Sequence, residues 1–113
     1  MKADIDPQVV AALELAKTVD KLAKVELVGA GLDDTPEKPR LVRPNPSFAS
    51  QLRYVRYLCI KVPQYIRQRQ IAKAQGKLQF ALGVLWASGC ISVRTMRDLE
   101  AYAVRRGHAS YTN

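Results

Sequence analysis

Residues 78–97, LQFALGVLWASGCISVRTMR, predict two helices joined by a tight turn. The first part of this stretch, 78–87, is apolar on nearly every side of a helix except at Gln79. A helix without a polar face is normally buried, so we expect this one to form the centre of the core, with Trp86 as a large core residue.

The turn after this helix carries signals for one helix end and one helix start. Ser88 and Gly89 end the first helix, and the Ser92 hydroxyl can accept the free amide hydrogens at the start of the next. Ile91 and Met96 have the spacing of a hydrophobic staple, which fixes the angle at which the chain enters a helix.

This order of buried helix, glycine turn (89–91) and capped helix (92–106) resembles that of helix-turn-helix DNA-binding proteins. In that family the first helix braces the second, whose N-terminal residues enter the major groove. The resemblance implies base or phosphate contacts for Arg94 and Arg97 and a phosphate contact for Thr95. The turn is one residue longer than the usual pattern, and the alternative is an ordinary helical hairpin whose arginines are solvated.

Near the N-terminus, Asp6 followed by Pro7 predicts another helix start, because a carboxylate accepts first-turn amides and proline needs no amide donor there. One apolar stripe then runs to about Lys24. It consists of Ala12, Leu15, Val19 and Leu22. An amphipathic helix needs a partner face, which is either the protein's own core or the same helix of a second copy in a homodimer.

A proline-rich connection separates this helix from the rest of the chain. Residues 31–46 hold four prolines and no helical period, which predicts an exposed segment. The 113 residues suffice for one core, so we expect a single helical domain. Its other parts are a near-neutral amphipathic helix at 1–30, a basic helical core at 47–107 and a polar tail at 108–113.

Ser47 predicts the cap of a second helix with its own buried stripe. The stripe consists of Phe48, Leu52, Val55, Cys59 and Val62. Pro63 either kinks this helix or starts a new one, a largely exposed helix over 63–75 that Gly76 ends. The expected fold is therefore all-α, a small compact bundle of four to five helices.

The net charge of +8 is concentrated in one region of the chain. Residues 1–30 carry −1, residues 31–46 carry 0 and residues 47–113 carry +9. No acidic residue lies between Glu37 and Asp98, and such a segment repels itself unless an anion is nearby. Candidates for that anion are nucleic-acid phosphates, an acidic protein face and an anionic membrane surface. The alternative is a solvated basic face that keeps the protein soluble.

Eight residues are the candidates for binding nucleic acid or a protein partner, because they are basic or lie at the start of the last helix. They are Arg53, Arg56, Arg67, Arg69, Lys73, Arg94, Thr95 and Arg97. Tyr54 and Tyr57, which alternate with two of these arginines, either stack on unpaired bases or pack beside the core.

Residues 76–89 are similar to a helix of the small helical subunits of CRISPR effector complexes. That resemblance implies a basic, all-helical protein that lines nucleic acid without reading its sequence.

The sequence lacks the residue patterns typical of enzymes, such as a phosphate-binding glycine loop or a nucleophile paired with a histidine. His108 is the only histidine, and neither Cys59 nor Cys90 has a second cysteine close by. We therefore expect no catalytic residue, no metal, no cofactor and two free thiols. The chain shows no secretory signal and no apolar run long enough to cross a bilayer, which predicts a cytoplasmic protein.

Together these features predict a non-enzymatic nucleic-acid-binding accessory or regulatory protein of phage or mobile-element type, with DNA favoured over RNA and no membrane partner. The alternative is a small inhibitor or adaptor that docks its basic face on an acidic or nucleic-acid-binding surface of another protein.

Overall fold

The computed structural model describes residues 6–38 and 47–108, with side chains described as far as Ala101. These residues form four α-helices, namely α1 (Pro7–Gly29), α2 (Phe48–Arg67), α3 (Ile71–Ala87) and α4 (Val93–His108). No strand occurs in the described ranges, which confirms the all-helical prediction for this part of the chain. Residues 39–46 of the connection and 109–113 of the tail lie outside the described residues.

Three of the four helices begin where a capping side chain predicts. The Asp6 carboxylate accepts a hydrogen bond from the amide two residues later at 2.8 Å. The Ser47 and Ser92 hydroxyls each accept one from the amide three residues later at 3.1 Å. α3 begins after Gln70, which makes no side-chain capping bond, so nothing in the local sequence marks this start.

α1 lies at the centre of the bundle and packs against each of the other three helices. α2 and α3 form an antiparallel hairpin on one side of α1. α4 packs chiefly against α1 and has few contacts with α3, and the described residues of α4 do not touch α2. The α3–α4 pair is therefore joined mainly through its turn and through the shared support of α1.

Aliphatic side chains form the core. The largest that are almost completely buried are Val19, Leu27, Leu52, Val55, Val62, Leu78, Leu82 and Leu85. α1 contributes the small residues Ala12, Ala16 and Ala23, which allow three helices to approach it closely. The predicted stripe of α1 therefore packs on its own chain, and a dimer formed through that stripe would have to displace a neighbouring helix.

Two aromatic residues predicted for the core lie at the surface instead. Trp86 is 50% exposed and Phe48 is 41% exposed. α3 is apolar on nearly every side, but α1 and α2 cover only the side that carries its buried leucines, since a small bundle has little interior. Phe48 is the first residue of α2, one turn before the fully buried Leu52.

The predicted helix over 63–75 does not exist as a separate element. α2 continues through Pro63 to Arg67, because a proline in a helix removes one backbone hydrogen bond without forcing the helix to end there. α3 starts at Ile71 and continues through Gly76, so this glycine does not end a helix as predicted.

The actual break between α2 and α3 lies at Arg69. This residue has a φ of 58°, and it is the one non-glycine residue with positive φ in the described ranges. The Gln70 amide donates to the Tyr65 carbonyl at 2.8 Å, across a left-handed residue, as in a Schellman helix end. The usual glycine signal is absent at this position, which explains why the sequence does not predict the break.

α1 ends at Gly29, within the bounds of 1–30 predicted for this helix, although its predicted apolar stripe runs only to about Lys24. Leu27 is completely buried and extends the apolar stripe by one turn, whereas Val28 beside it is 57% exposed. Gly31, with a φ of 71°, follows the helix end. None of the helices in the described ranges combines the length and apolar character that crossing a membrane requires.

Gly76 and Gly83 lie inside α3 where glycine has no conformational role. Neither has a positive φ, and a Cβ atom added at either position meets no heavy atom within 4 Å. Glycine destabilises a helix interior by about 1 kcal/mol relative to alanine. We therefore expect Gly76→Ala and Gly83→Ala each to raise the free energy of unfolding in urea by about 0.5–1 kcal/mol.

Gly89 provides the matched control for this pair, because its φ of 82° lies in the left-handed region. Alanine is strained there, so Gly89→Ala should lower the free energy of unfolding by about 1 kcal/mol. Destabilisation by the two α3 substitutions would show that the outer side of this helix is not as open as the structure describes.

Candidate functional site

Arg56 of α2 is held by carboxylates of its own chain. Its Nε and Nη2 donate to the two carboxylate oxygens of Asp20 of α1, at 2.8 and 3.4 Å. Its Nη1 donates to the backbone carbonyl of Asp34 and lies 3.4 Å from the carboxylate of the same residue. The hydrogen-bonded Asp20 carboxylate raises the pKa of the Arg56 guanidinium above its ordinary value. Arg56 thus joins α1, α2 and the connection between them.

Arg53, one turn earlier, binds the same connection. Its Nε donates to the Asp33 carbonyl at 2.7 Å, and its Nη1 lies 3.5 Å from the Glu37 carboxylate. The Glu37 amide in turn donates to the Arg53 carbonyl at 3.1 Å. Residues 32–38 are exposed at most positions, yet these bonds fasten them along α2.

The first turn of this connection is shaped by one local bond pair. The Asp33 carboxylate accepts hydrogen bonds from the Thr35 hydroxyl at 2.8 Å and from the Thr35 amide at 3.1 Å. These two bonds lower the pKa of the Asp33 carboxyl. The Asp33 carboxylate is thus bound within its own segment. Arg53 donates to the backbone carbonyl of Asp33 instead.

Arg53 and Arg56 are therefore the two predicted binding residues whose charge is already compensated within the fold. Every ion pair that the structure shows between described side chains involves one of them. The sequence contained a signal for this, because the acids at 33, 34 and 37 are the only negative charges of an otherwise basic connection.

Three further candidates surround the α2–α3 turn and are exposed to solvent. Arg67 is the last residue of α2, Arg69 lies in the turn and Lys73 lies in the first turn of α3. The Lys73 ammonium lies 4.9 Å from the centroid of the Tyr65 ring, a cation–π distance. We refer to Arg67, Arg69 and Lys73 as the turn cluster.

The other three candidates lie at the start of α4. Arg94, Thr95 and Arg97 are exposed. Thr95 also takes part in the helix cap, since its hydroxyl accepts from the Ser92 hydroxyl at 3.1 Å and its amide donates to the same oxygen. We refer to Arg94 and Arg97 as the α4 cluster.

The fold does not bring these cations into one compact group. The turn cluster lies at the start of α3 and the α4 cluster follows its end. α3 has 17 residues, which at about 1.5 Å per residue gives a helix about 25 Å long. The candidate site therefore consists of two basic clusters at opposite ends of one helix.

Sequence reasoning singled out Tyr54 and Tyr57 but missed Phe80, the third ring of an aromatic group on the α2–α3 hairpin. The Tyr54 and Tyr57 rings are stacked with their centroids 6.4 Å apart, and the Phe80 ring of α3 meets Tyr54 edge-on at 5.9 Å. The Lys61 ammonium lies 5.7 Å from the Tyr57 centroid. We refer to Tyr54, Tyr57 and Phe80 as the aromatic row. Phe80 belongs to the helix that the sequence predicts to be buried, so its place in this row could not be foreseen.

The cysteines do not form a reactive centre. Cys59 is buried and Cys90 is half-buried, and both are free thiols. Burial raises the pKa of the Cys59 thiol to about 12 and also raises the pKa of Cys90. A thiol that keeps its proton is a poor nucleophile. Across residues 6–38 and 47–101, no three His, Cys, Asp or Glu side chains come together in a way that could hold a metal ion.

Comparison of the chain with protein-family models, with curated proteins and with solved structures finds no match.

Proposed function

We propose that this protein binds nucleic acid without catalysing a reaction, as an accessory or regulatory protein. The observation that supports the proposal best is the charge distribution on the folded chain. α2 and α3 contain no Asp or Glu, and the carboxylates of α1 and the connection that reach α2 are bound to Arg53 and Arg56. The exposed cations of the turn cluster and the α4 cluster are left to face an external anion.

Nucleic acid suits two basic clusters about 25 Å apart better than a small anion does. Duplex DNA carries a negative charge about every 1.7 Å along its axis, so it presents phosphates continuously over such a distance. One molecule can then contact both clusters, and each contact releases counterions that would otherwise stay condensed on the phosphates.

The start of α4 suits a duplex-reading version of this proposal. Gly89 adopts the left-handed conformation in the α3–α4 turn, the turn of helix-turn-helix proteins often contains a glycine, and α4 presents exposed arginines in its first turns. In this version Arg94 and Arg97 reach base edges or phosphates, and the turn cluster contacts the flanking backbone.

The proposal is tested by titrating labelled duplex and single-stranded DNA with the protein at several salt concentrations. We expect the logarithm of the binding constant to fall linearly with the logarithm of salt concentration, by about 0.9 per phosphate contacted on a duplex. If both clusters bind, their five cations give a duplex slope of about −4.5. Absence of binding to either form at about 50 mM salt would discard the proposal.

A second candidate function is docking on an acidic protein surface, and one observation favours it. Trp86 near the end of α3 and Val93 at the start of α4 are 50% and 42% exposed, close in sequence to the α4 arginines. Tryptophan and arginine are the residues most enriched in energetically dominant interface positions. Capture of a host protein that survives in high salt but is lost in a Trp86→Ala variant would favour this function over the first.

A further inference from the structure

We propose that the outer side of the α2–α3 hairpin binds single-stranded nucleic acid, whose bases stack on the aromatic row while lysines beside it contact the phosphates. This inference rests on the proposed function and names the form of nucleic acid that the hairpin takes.

The aromatic row is placed to receive bases. Tyr54, which also packs against the core, lies in the middle of it and contacts both Tyr57 and Phe80, so two half-buried tyrosine rings and one exposed phenylalanine ring form a cluster across two helices. Phe80 is 54% exposed although buried aliphatic side chains flank it in α3. The exposed apolar area of Phe80 is removed from water only when a ligand covers the ring, and that removal is energetically favourable.

Lysines accompany the row along both helices. The Lys61 ammonium lies over the Tyr57 ring, and the Lys73 ammonium lies over the Tyr65 ring. Lys77 lies between Lys73 and Phe80 at spacings of four and three residues, which places all three on one side of α3. The outer side of the hairpin thus combines aromatic rings with ammonium groups, without a carboxylate from either helix.

This combination favours a single strand over a duplex or an acidic protein. Every base has a flat face that stacks on an aromatic side chain, and a charged groove that follows the phosphates supplies the rest of the affinity. In a duplex the faces of the bases are covered by their neighbours, so its phosphates can use the lysines but its bases cannot use the rings. The rings therefore contribute binding energy to an unpaired strand alone.

The test compares two labelled probes at about 50 mM salt, an oligothymidylate of about 16 nucleotides and a duplex of the same length. Tyr57→Leu and Phe80→Leu remove a ring and keep an apolar side chain of good helix propensity. We expect each to raise the Kd for the oligothymidylate by about tenfold and to leave the Kd for the duplex within about twofold.

Phe48→Leu is the matched control, because it removes a 41% exposed aromatic ring from α2 of the same hairpin but outside the row. It should leave both Kd values unchanged. Tyr57→Phe and Phe80→Tyr keep the rings and should retain wild-type affinity for the oligothymidylate. This retention separates loss of stacking from loss of folding.

The outcomes separate the two proposals. If the wild-type protein binds the oligothymidylate and Tyr57→Leu and Phe80→Leu bind it with unchanged affinity, the stacking inference is overturned and the proposed function stands. An equal loss of affinity for duplex and single strand also overturns it. If the wild-type protein binds neither probe, the proposed function fails and the inference fails with it.

Discussion

Arg56→Leu should lower the free energy of unfolding by about 2 kcal/mol, although it replaces a charged side chain with an apolar one of high helix propensity. Removing one partner of a buried ion pair costs about 3–5 kcal/mol, because it leaves an uncompensated charge. Here the Arg56 side chain is 14% exposed and the Asp20 and Asp34 side chains are 29% and 35% exposed. Water can therefore solvate the two abandoned carboxylates in part, which places the expected loss below that range. Urea denaturation followed by circular dichroism measures it.

Arg67→Leu is the matched control for this prediction, since it makes the same chemical change in the same helix. Arg67 is exposed and forms no ion pair with a described carboxylate, so we expect a loss of at most about 0.5 kcal/mol from its favourable position at the end of α2. Equal losses in the two variants would show that the Asp20–Arg56–Asp34 contacts add nothing to stability.

A double-mutant cycle with Asp20→Asn isolates the contact itself. The asparagine side chain keeps a hydrogen-bond acceptor but loses the charge, so this single variant should be destabilised less than Arg56→Leu. Because the two residues are in direct contact, the double variant should be more stable than the sum of the single effects predicts. Strictly additive losses would contradict a direct coupling.

Local signals in the sequence predict most of the secondary structure. Asp6, Ser47 and Ser92 each mark a helix start through a hydrogen bond that spans two or three residues, so their meaning does not depend on the rest of the fold. Apolar periodicity also identifies the buried sides of α1 and α2, because polar residues occupy the opposite side of each helix.

α3 shows where this reasoning stops. Its sequence is apolar on nearly every side, so periodicity cannot say which side the bundle will cover, and it places Trp86 and Phe80 in the interior. Their exposure follows from the arrangement of α1 and α2 around α3, which is a property of tertiary packing.

The arginines of α2 show the same limit for charge. Arg56 and Asp20 are 36 residues apart in the chain, and Arg53 and Asp33 are 20 apart. The acids of the connection indicate that some cations will be compensated, but a count of charges along the sequence cannot say which of them meet in the fold. The structure shows that Arg53 and Arg56 hold the connection onto α2, and it leaves the turn cluster and the α4 cluster without an ion pair to any described carboxylate.

Reversing the α4 cluster is the sharpest test of the duplex-reading proposal. We expect the Arg94→Glu and Arg97→Glu double variant to lower duplex affinity by about 100-fold at about 50 mM salt and to reduce the salt slope by up to about 2, the value for two lost phosphate contacts. The first turn of α4 contains no acidic residue, and negative charge at a helix N-terminus is favourable. Arg97→Glu lies beyond the first turn, and both glutamates come within three or four residues of Asp98 or Glu100, which costs a few tenths of a kcal/mol per pair. Circular dichroism of the double variant should therefore show wild-type helicity before a loss of binding is attributed to the missing contacts.

Lys17→Glu and Lys21→Glu on α1 form the matched control, because they change the net charge by the same amount at two exposed positions outside both clusters. Because neither lysine belongs to a cluster, this pair should lower affinity only a few-fold, through the change in net charge alone. If both pairs weaken binding equally, the protein attracts nucleic acid through its total charge, and Arg94 and Arg97 make no specific contact with the duplex. If the α4 reversal spares DNA binding and abolishes capture of a host protein, the arginines serve the docking function instead.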